Sequence, residues 1–188
     1  TAFAASGGLE LDVVAYILKE DYEKTVKEYA DYNGKYKNRV KIGGVKVILD
    51  GSPQGKSAWL SKPYEGEENY CGYPTHDDVY VTKAAKDAVC GGYQILAHCN
   101  GDAASEQFIQ SYQAALKEMG TADGDYRPVM IHCQTVRDDQ LDRMAQLKMI
   151  PSIFIGHTYY WGDIHLKNFG ARGKNQPGKI RLRARSDL

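Results

Sequence analysis

Residues 93–120 read YQILAHCNGDAASEQFIQSYQAALKEMG and hold both halves of one repeating unit. Tyr93–His98 is a short, nearly continuous apolar run, as expected of a strand buried on both faces of a parallel sheet. Ala103–Met119 then carries Phe108, Ile109, Tyr112, Leu116 and Met119 along one side of a helix. Asp102 is placed to cap that helix, and Gly120 stands just past its end, where a left-handed residue closes the last turn.

The same pattern extends in both directions. Val129–His132 (VMIH) and Ile150–Gly156 (IPSIFIG) follow, and Pro151 fits the start of a strand. Val45–Leu49 (VKVIL) and Leu11–Leu18 (LDVVAYIL) precede it. Between these runs, Asp21–Tyr32, Val79–Val89 and Asp138–Leu147 space their apolar residues as helices do. Strand and helix alternate about every 30–35 residues, which predicts βαβ units and an α/β fold with a parallel sheet. Two architectures compete, an open doubly wound sheet and a (β/α)8 barrel. No G-x-G-x-x-G follows a strand, which weakens the dinucleotide-binding form of the first. Five units in 188 residues, against about 250 for a complete TIM-type barrel, predict a partial barrel covering roughly strands 3 to 7. The loop Asp50–Thr75, rich in Gly, Pro, Ser and Tyr, is too long for a connector and reads as a lid or binding loop.

Lys+Arg and Asp+Glu both total 24, so no net field draws the chain to nucleic acid or to a membrane surface. No apolar run approaches the roughly 18 residues of a membrane span. Cys71, Cys90, Cys99 and Cys133 show no C-x-x-C spacing and read as reduced thiols, which points to a cytoplasmic location. Thr1, without Met or a basic leader, reads as an internal start.

Three of the runs carry a polar side chain that could serve a metal. Lys46 lies inside Val45–Leu49, and His98 and His132 end successive strands. Period-two alternation puts Lys46, Ile48 and Asp50 on one face, Leu96, His98 and Asn100 on another, and Met130, His132 and Gln134 on a third. If those faces line a barrel, one lysine and two imidazoles meet at its C-terminal mouth. Singly, a strand-end histidine is more often structural. A lysine within V-K-V-I-L is harder to dismiss, because Lys is rarely buried unpaired. Cys99 and Cys133 fall on the opposite face and read as packing residues.

Val45–Gly55 (VKVILDGSPQG), His98–Asp102 (HCNGD), Ile131–Gln134 (IHCQ) and His157–Asp163 (HTYYWGD) resemble the YtcJ-like branch of the amidohydrolase superfamily. The likeness runs from about Leu11 to Gly170, in the family's motif order. It implies a distorted (β/α)8 barrel around a divalent metal centre, most often zinc. It also implies hydrolysis of amides such as N-substituted formamides through metal-bound hydroxide. Residue by residue, Lys46 matches the lysine that can be carboxylated to bridge two metals, and His98 and His132 match the strand-5 and strand-6 histidines. His157, Tyr159, Tyr160 and Trp161 follow the seventh strand and match pocket lining, with plain packing under a loop as the alternative for the aromatics. Asp102 is expected to cap its helix rather than support the site. The family's strand-1 H-x-H and strand-8 catalytic Asp have no counterpart in this sequence. The resemblance therefore implies a small-molecule amide hydrolase present as a fragment, inactive alone and prone to self-association through open barrel edges. The alternative is a non-catalytic α/β domain that binds a small molecule and whose histidines are structural.

Two segments are expected, a partial barrel over 1–170 and a basic, irregular tail over 171–188. Arg172, Lys174, Lys179, Arg181, Arg183 and Arg185 face one acid, Asp187. The tail lacks the interleaved aromatics that favour single-stranded nucleic acid. Gln176-Pro-Gly-Lys-Ile-Arg-Leu-Arg, its codons read one base later, can encode Ser-Pro-Ala-Lys-Ser-Ala-Cys-Glu, close to the family's S-P-x-K-S-A helix start. A frameshift near Asn175 accounts for that coincidence.

Overall fold

The structure, a computed structural model, describes residues 2–121 and 124–175. Its elements are α1 (Ala2–Ala5), β1 (Val13–Leu18), α2 (Lys19–Glu28), β2 (Val40–Ile48), α3 (Asp78–Gly91), β3 (Gln94–Cys99), α4 (Asp102–Met119), β4 (Val129–His132), α5 (Asp138–Gln146), β5 (Ile150–Ile153) and α6 (Gly156–Phe169). Short 3-10 turns occupy Ala30–Tyr32 and Gly170–Asn175.

Strand order decides between the two architectures. The five strands lie in the order β1-β2-β3-β4-β5, and every adjacent pair is parallel. A doubly wound sheet reverses its winding partway across. Here each strand lies beside the next in sequence, as in a barrel. The fold is α/β, an arc of a (β/α)8 barrel.

Alternation along each strand builds the core. Val45, Val47, Ile95, Ala97, Cys99 and Met130 are buried in one cluster with Val81, Ala85, Phe108 and Tyr112 of the covering helices. Phe108 and Tyr112 project one turn apart from α4 and are fully buried, so the amphipathic stripe read from the sequence is the face that docks. Gly120 ends α4 at φ 64°, its N–H reaching the carbonyls of Leu116 and Lys117.

The start of α4 corrects one expectation. Gly101, not Asp102, is the N-cap, and Asp102 opens the helix proper. The carboxylate of Asp102 instead accepts from Ser61 N at 2.9 Å, from Ser61 Oγ and from Arg137 Nη1 at 3.1 Å. The reason is crowding. A Cβ at position 101 would lie 1.7 Å from the carbonyl oxygen of Trp59, so the long loop presses on the helix start and takes the aspartate as its anchor.

That loop is clamped at many points. Thr75 N donates to Leu49 O at 2.9 Å, Glu65 N to Asn168 O at 2.8 Å and Asn168 Nδ2 to Pro53 O at 2.9 Å. Tyr64 is buried and stacks on Phe169 of α6, beside Leu60. The basic segment expected to be irregular begins as the 3-10 turn Gly170–Asn175, where Arg172 donates to the carbonyls of Lys62 and Pro63. The frameshift peptide from Gln176 onward lies outside the described residues. Among the described residues, no helix is long and apolar enough to cross a membrane. β1 and β5 end the sheet, and Val13, Val14 and Ile150 are exposed on them.

Candidate metal centre

Lys46 and His98 arrive by simple alternation. Lys46 pairs with Leu96, and Ile48 pairs with His98, so all four share the face opposite the helices. His132 does not arrive this way. It pairs with Cys99, and Met130 pairs with Ala97, both core residues, so regular alternation would turn the His132 ring toward the helices. The backbone instead turns left-handed at His132 (φ 75°) and Cys133 (φ 50°). This corrects the expectation that Met130 and His132 share a face. Met130 packs in the core, while the His132 ring crosses to the inner face. Left-handed backbone costs about 1 kcal/mol or more at a residue with a side chain.

The result is a row of imidazoles. The ring centroids of His98 and His132 are 4.6 Å apart, those of His132 and His157 5.4 Å, and those of His157 and His165 5.5 Å. Phe154 closes one side, 4.8 Å from His157. Four of the five histidines of the chain therefore stand in one contiguous file. His157 opens α6, and His165 sits eight residues later, close to the same side of the helix; both are buried.

Burial disfavours the charged form of two of these rings, His132 and His157. Burial first, then the positive charge that His98, His157 and Lys46 can carry, holds His132 down at about 4. Burial, with His165 and His98, also lowers His157. Burial pushes Lys46 down to about 8, so its uncharged amine becomes accessible near neutral pH. Nδ1 of His132 and of His157 is in each case buried without a hydrogen-bond partner. A neutral imidazole with an unpartnered ring nitrogen is the form that binds zinc, so the donor set fits such an ion. Among the described residues, no three His, Cys, Asp or Glu side chains make a complete ligand group.

The expected pocket residues divide. His157 joins the file. Tyr159 and Tyr160 pack edge-to-face on each other and are 85% and 72% exposed, and Trp161 is partly exposed beside them. A cleft of about 380 Å3 lies nearby, lined by Leu60, Ser61, Lys62, Asp102, Arg137 and Phe169 among others, and none of the histidines borders it. Two buried residues went unassigned from the sequence. Asp50 accepts three backbone N–H groups beside His98, and alternation from Lys46 already put it on that face. His165 could have been found from its spacing of about two helical turns after His157.

The sequence profile of the Amidohydrolase family matches residues 1–183. A Bacillus subtilis (strain 168) protein named as the amidohydrolase YtcJ is 24% identical over 125 residues, 65% of this chain and 23% of that protein. The Arabidopsis thaliana protein LONG AFTER FAR-RED 3 is 26% identical over 130 residues, 69% of this chain and 22% of that protein. The chain thus spans under a quarter of the length of these curated relatives. Among solved structures, an uncharacterized metal-dependent hydrolase from Pyrococcus furiosus superposes with a TM-score of 0.78 at 24% identity, covering 93% of this chain and 35% of that one. Another, from Pyrococcus horikoshii OT3, gives 0.72 at 26% identity, covering 90% and 32%.

Proposed function

Since this chain belongs to the amidohydrolase family, we propose that it is part of a metal-dependent hydrolase that cleaves C–N bonds of small amides, N-substituted formamides among them. Lys46, His98 and His132 would hold the divalent ion, zinc by the chemistry of the donors. The observation that carries the reading is the His98–His132 ring pair, brought to 4.6 Å by a left-handed backbone turn that regular strand geometry would not make. Strained backbone retained where it re-aims one side chain is a mark of a functional site.

Bound there, the ion would supply Lewis-acid polarisation of the amide carbonyl and acidify water. The residues of the chain do the rest. Burial disfavours the charged form of His132 and so keeps it available as a ligand. Burial lowers the basicity of Lys46, so its amine would be the one able to take up CO2 as a carbamate and would then help to hold the metal. His157 and the aromatics Tyr159, Tyr160 and Trp161 would border the substrate once a complete barrel surrounds them. Alone, the chain is expected to bind zinc weakly, to turn over no amide and to self-associate through the exposed edges of β1 and β5. Its four free thiols fit a cytoplasmic location.

The test is zinc binding by the metal-stripped chain, followed by calorimetry and elemental analysis, with His98→Ala and His132→Ala beside it. Binding that either substitution abolishes supports the reading. Binding unchanged in both variants, or absent in all three proteins, refutes it and leaves a small-molecule-binding domain with structural histidines.

A further inference from the structure

Asp50 follows β2 two residues after Ile48, and only 1% of it is exposed. Both of its carboxylate oxygens are engaged. Oδ1 accepts from Asn100 N at 3.0 Å, and Oδ2 accepts from Gly101 N at 2.7 Å and Trp59 N at 3.0 Å. One buried carboxylate thus ties the lysine strand to the turn after β3 and to the long loop. Oδ1 also lies 3.2 Å from Nδ1 of His98.

The far side of the same ring fixes its protonation. Nε2 of His98 lies 3.3 Å from Nδ2 of Asn100. That amide is oriented independently, because Nδ2 is also 2.8 Å from the carbonyl oxygen of Gly51. A carbonyl only accepts, so the atom facing it must be the amide nitrogen. A donor directed at Nε2 requires a lone pair there. The neutral ring then carries its proton on Nδ1, toward Asp50.

We propose that Asp50 is the positioning residue of His98. Its carboxylate holds the imidazole proton on Nδ1 and sets the ring against His132. The functional consequence rests on the metal reading above; the tautomer does not. The Nδ1–H is not aligned on Oδ1 in this geometry, so Nδ1 makes no formed hydrogen bond. The proposal therefore includes a turn of the ring about its Cβ–Cγ bond that brings the two into line. A buried anion on one ring nitrogen raises the basicity of the other and fixes the ring plane, and losing such a partner lowers metal affinity about 10–100-fold.

The experiment is 15N-resolved NMR of the histidine rings in the metal-stripped full chain at pH 7.5, followed by zinc titration of the same samples. In the native chain His98 should carry its proton on Nδ1. Asn100→Ala should keep that tautomer, because Asp50 suffices to hold it. Asp50→Asn should weaken zinc binding about 10–100-fold, with an unchanged circular dichroism spectrum, while Asp50→Asn combined with Asn100→Ala, which leaves neither holder, should lose the Nδ1 tautomer. A native His98 protonated on Nε2 overturns the proposal. So does an Asn100→Ala chain that loses the Nδ1 tautomer, an Asp50→Asn chain with unaltered affinity, or a doubly substituted chain that keeps the tautomer. Asp50→Asn loses an acceptor for backbone donors; if it does not fold, the native and Asn100→Ala spectra decide. If the native chain binds no zinc, the metal reading fails while the spectra still decide the role of Asp50.

Discussion

Replacing His132 by Asn should flatten the acid limb of the stability curve. Burial and its cationic neighbours lower His132 from 6.5 to about 4. An unfolded chain takes up a proton at this residue near pH 6.5, whereas the folded chain refuses it until about pH 4. Between those values the unfolded state binds more protons, so stability rises with pH, or equally is lost as pH falls through that window. At about 1.4 kcal/mol per pH unit, the full effect is about 3 kcal/mol. Partial solvent access reduces it to roughly 2 kcal/mol. The assay is urea denaturation of metal-stripped native and His132→Asn chains at intervals from pH 7.5 to 4, followed by circular dichroism. The two curves should diverge most steeply between pH 6.5 and 4, with the native chain losing the additional roughly 2 kcal/mol. Parallel curves would show that His132 titrates as it does in the unfolded chain, and the argument from burial would fall with them.

Other expectations are as specific. Lys46→Met should stabilise the chain by about 1–3 kcal/mol at pH 7 in urea melts, because burial opposes the charge that Lys46 carries below about pH 8. That gain should shrink as pH rises from 8 toward 10.5, where the native lysine discharges in both states. Gly101→Ala should cost about 3 kcal/mol, since its Cβ would meet the Trp59 carbonyl oxygen at 1.7 Å and push the long loop off α4; a change within about 0.5 kcal/mol would contradict that crowding. Sedimentation velocity should show the chain associating as concentration rises, and a monodisperse monomer would refute a role for the open sheet edges.

Much of the barrel arc could be read from short apolar runs, because a strand buried on both sides needs little else. The run Val45–Leu49 understated β2, which starts at Val40, since Gly43 and Gly44 break the apolar signal without breaking the strand. α6 gave no clear helical pattern. Gly156 and Gly162 and the cluster Tyr159, Tyr160 and Trp161 have poor helix propensity, and the helix owes its place to Asn168 and Phe169 docking on the distant loop. Alternation placed Lys46 and His98 correctly and reached His132 by faulty logic. Nothing in I-H-C-Q announces two consecutive left-handed residues, because that conformation is imposed by the surrounding structure. Asp102 illustrates the same limit. Its sequence position suits a cap, yet a contact with Ser61, 41 residues away, claimed its carboxylate.

The sequential strand order also bears on how the chain reaches its native state. Each strand pairs with the one made just before it, so no ladder waits for a distant partner to be synthesised. Each added βα unit can dock on an existing edge, as in a linear array of repeats whose units contact only their neighbours. Most of the sheet's loop-closure entropy is therefore met in similar steps of one unit each, and the growing arc can acquire structure progressively as it leaves the ribosome.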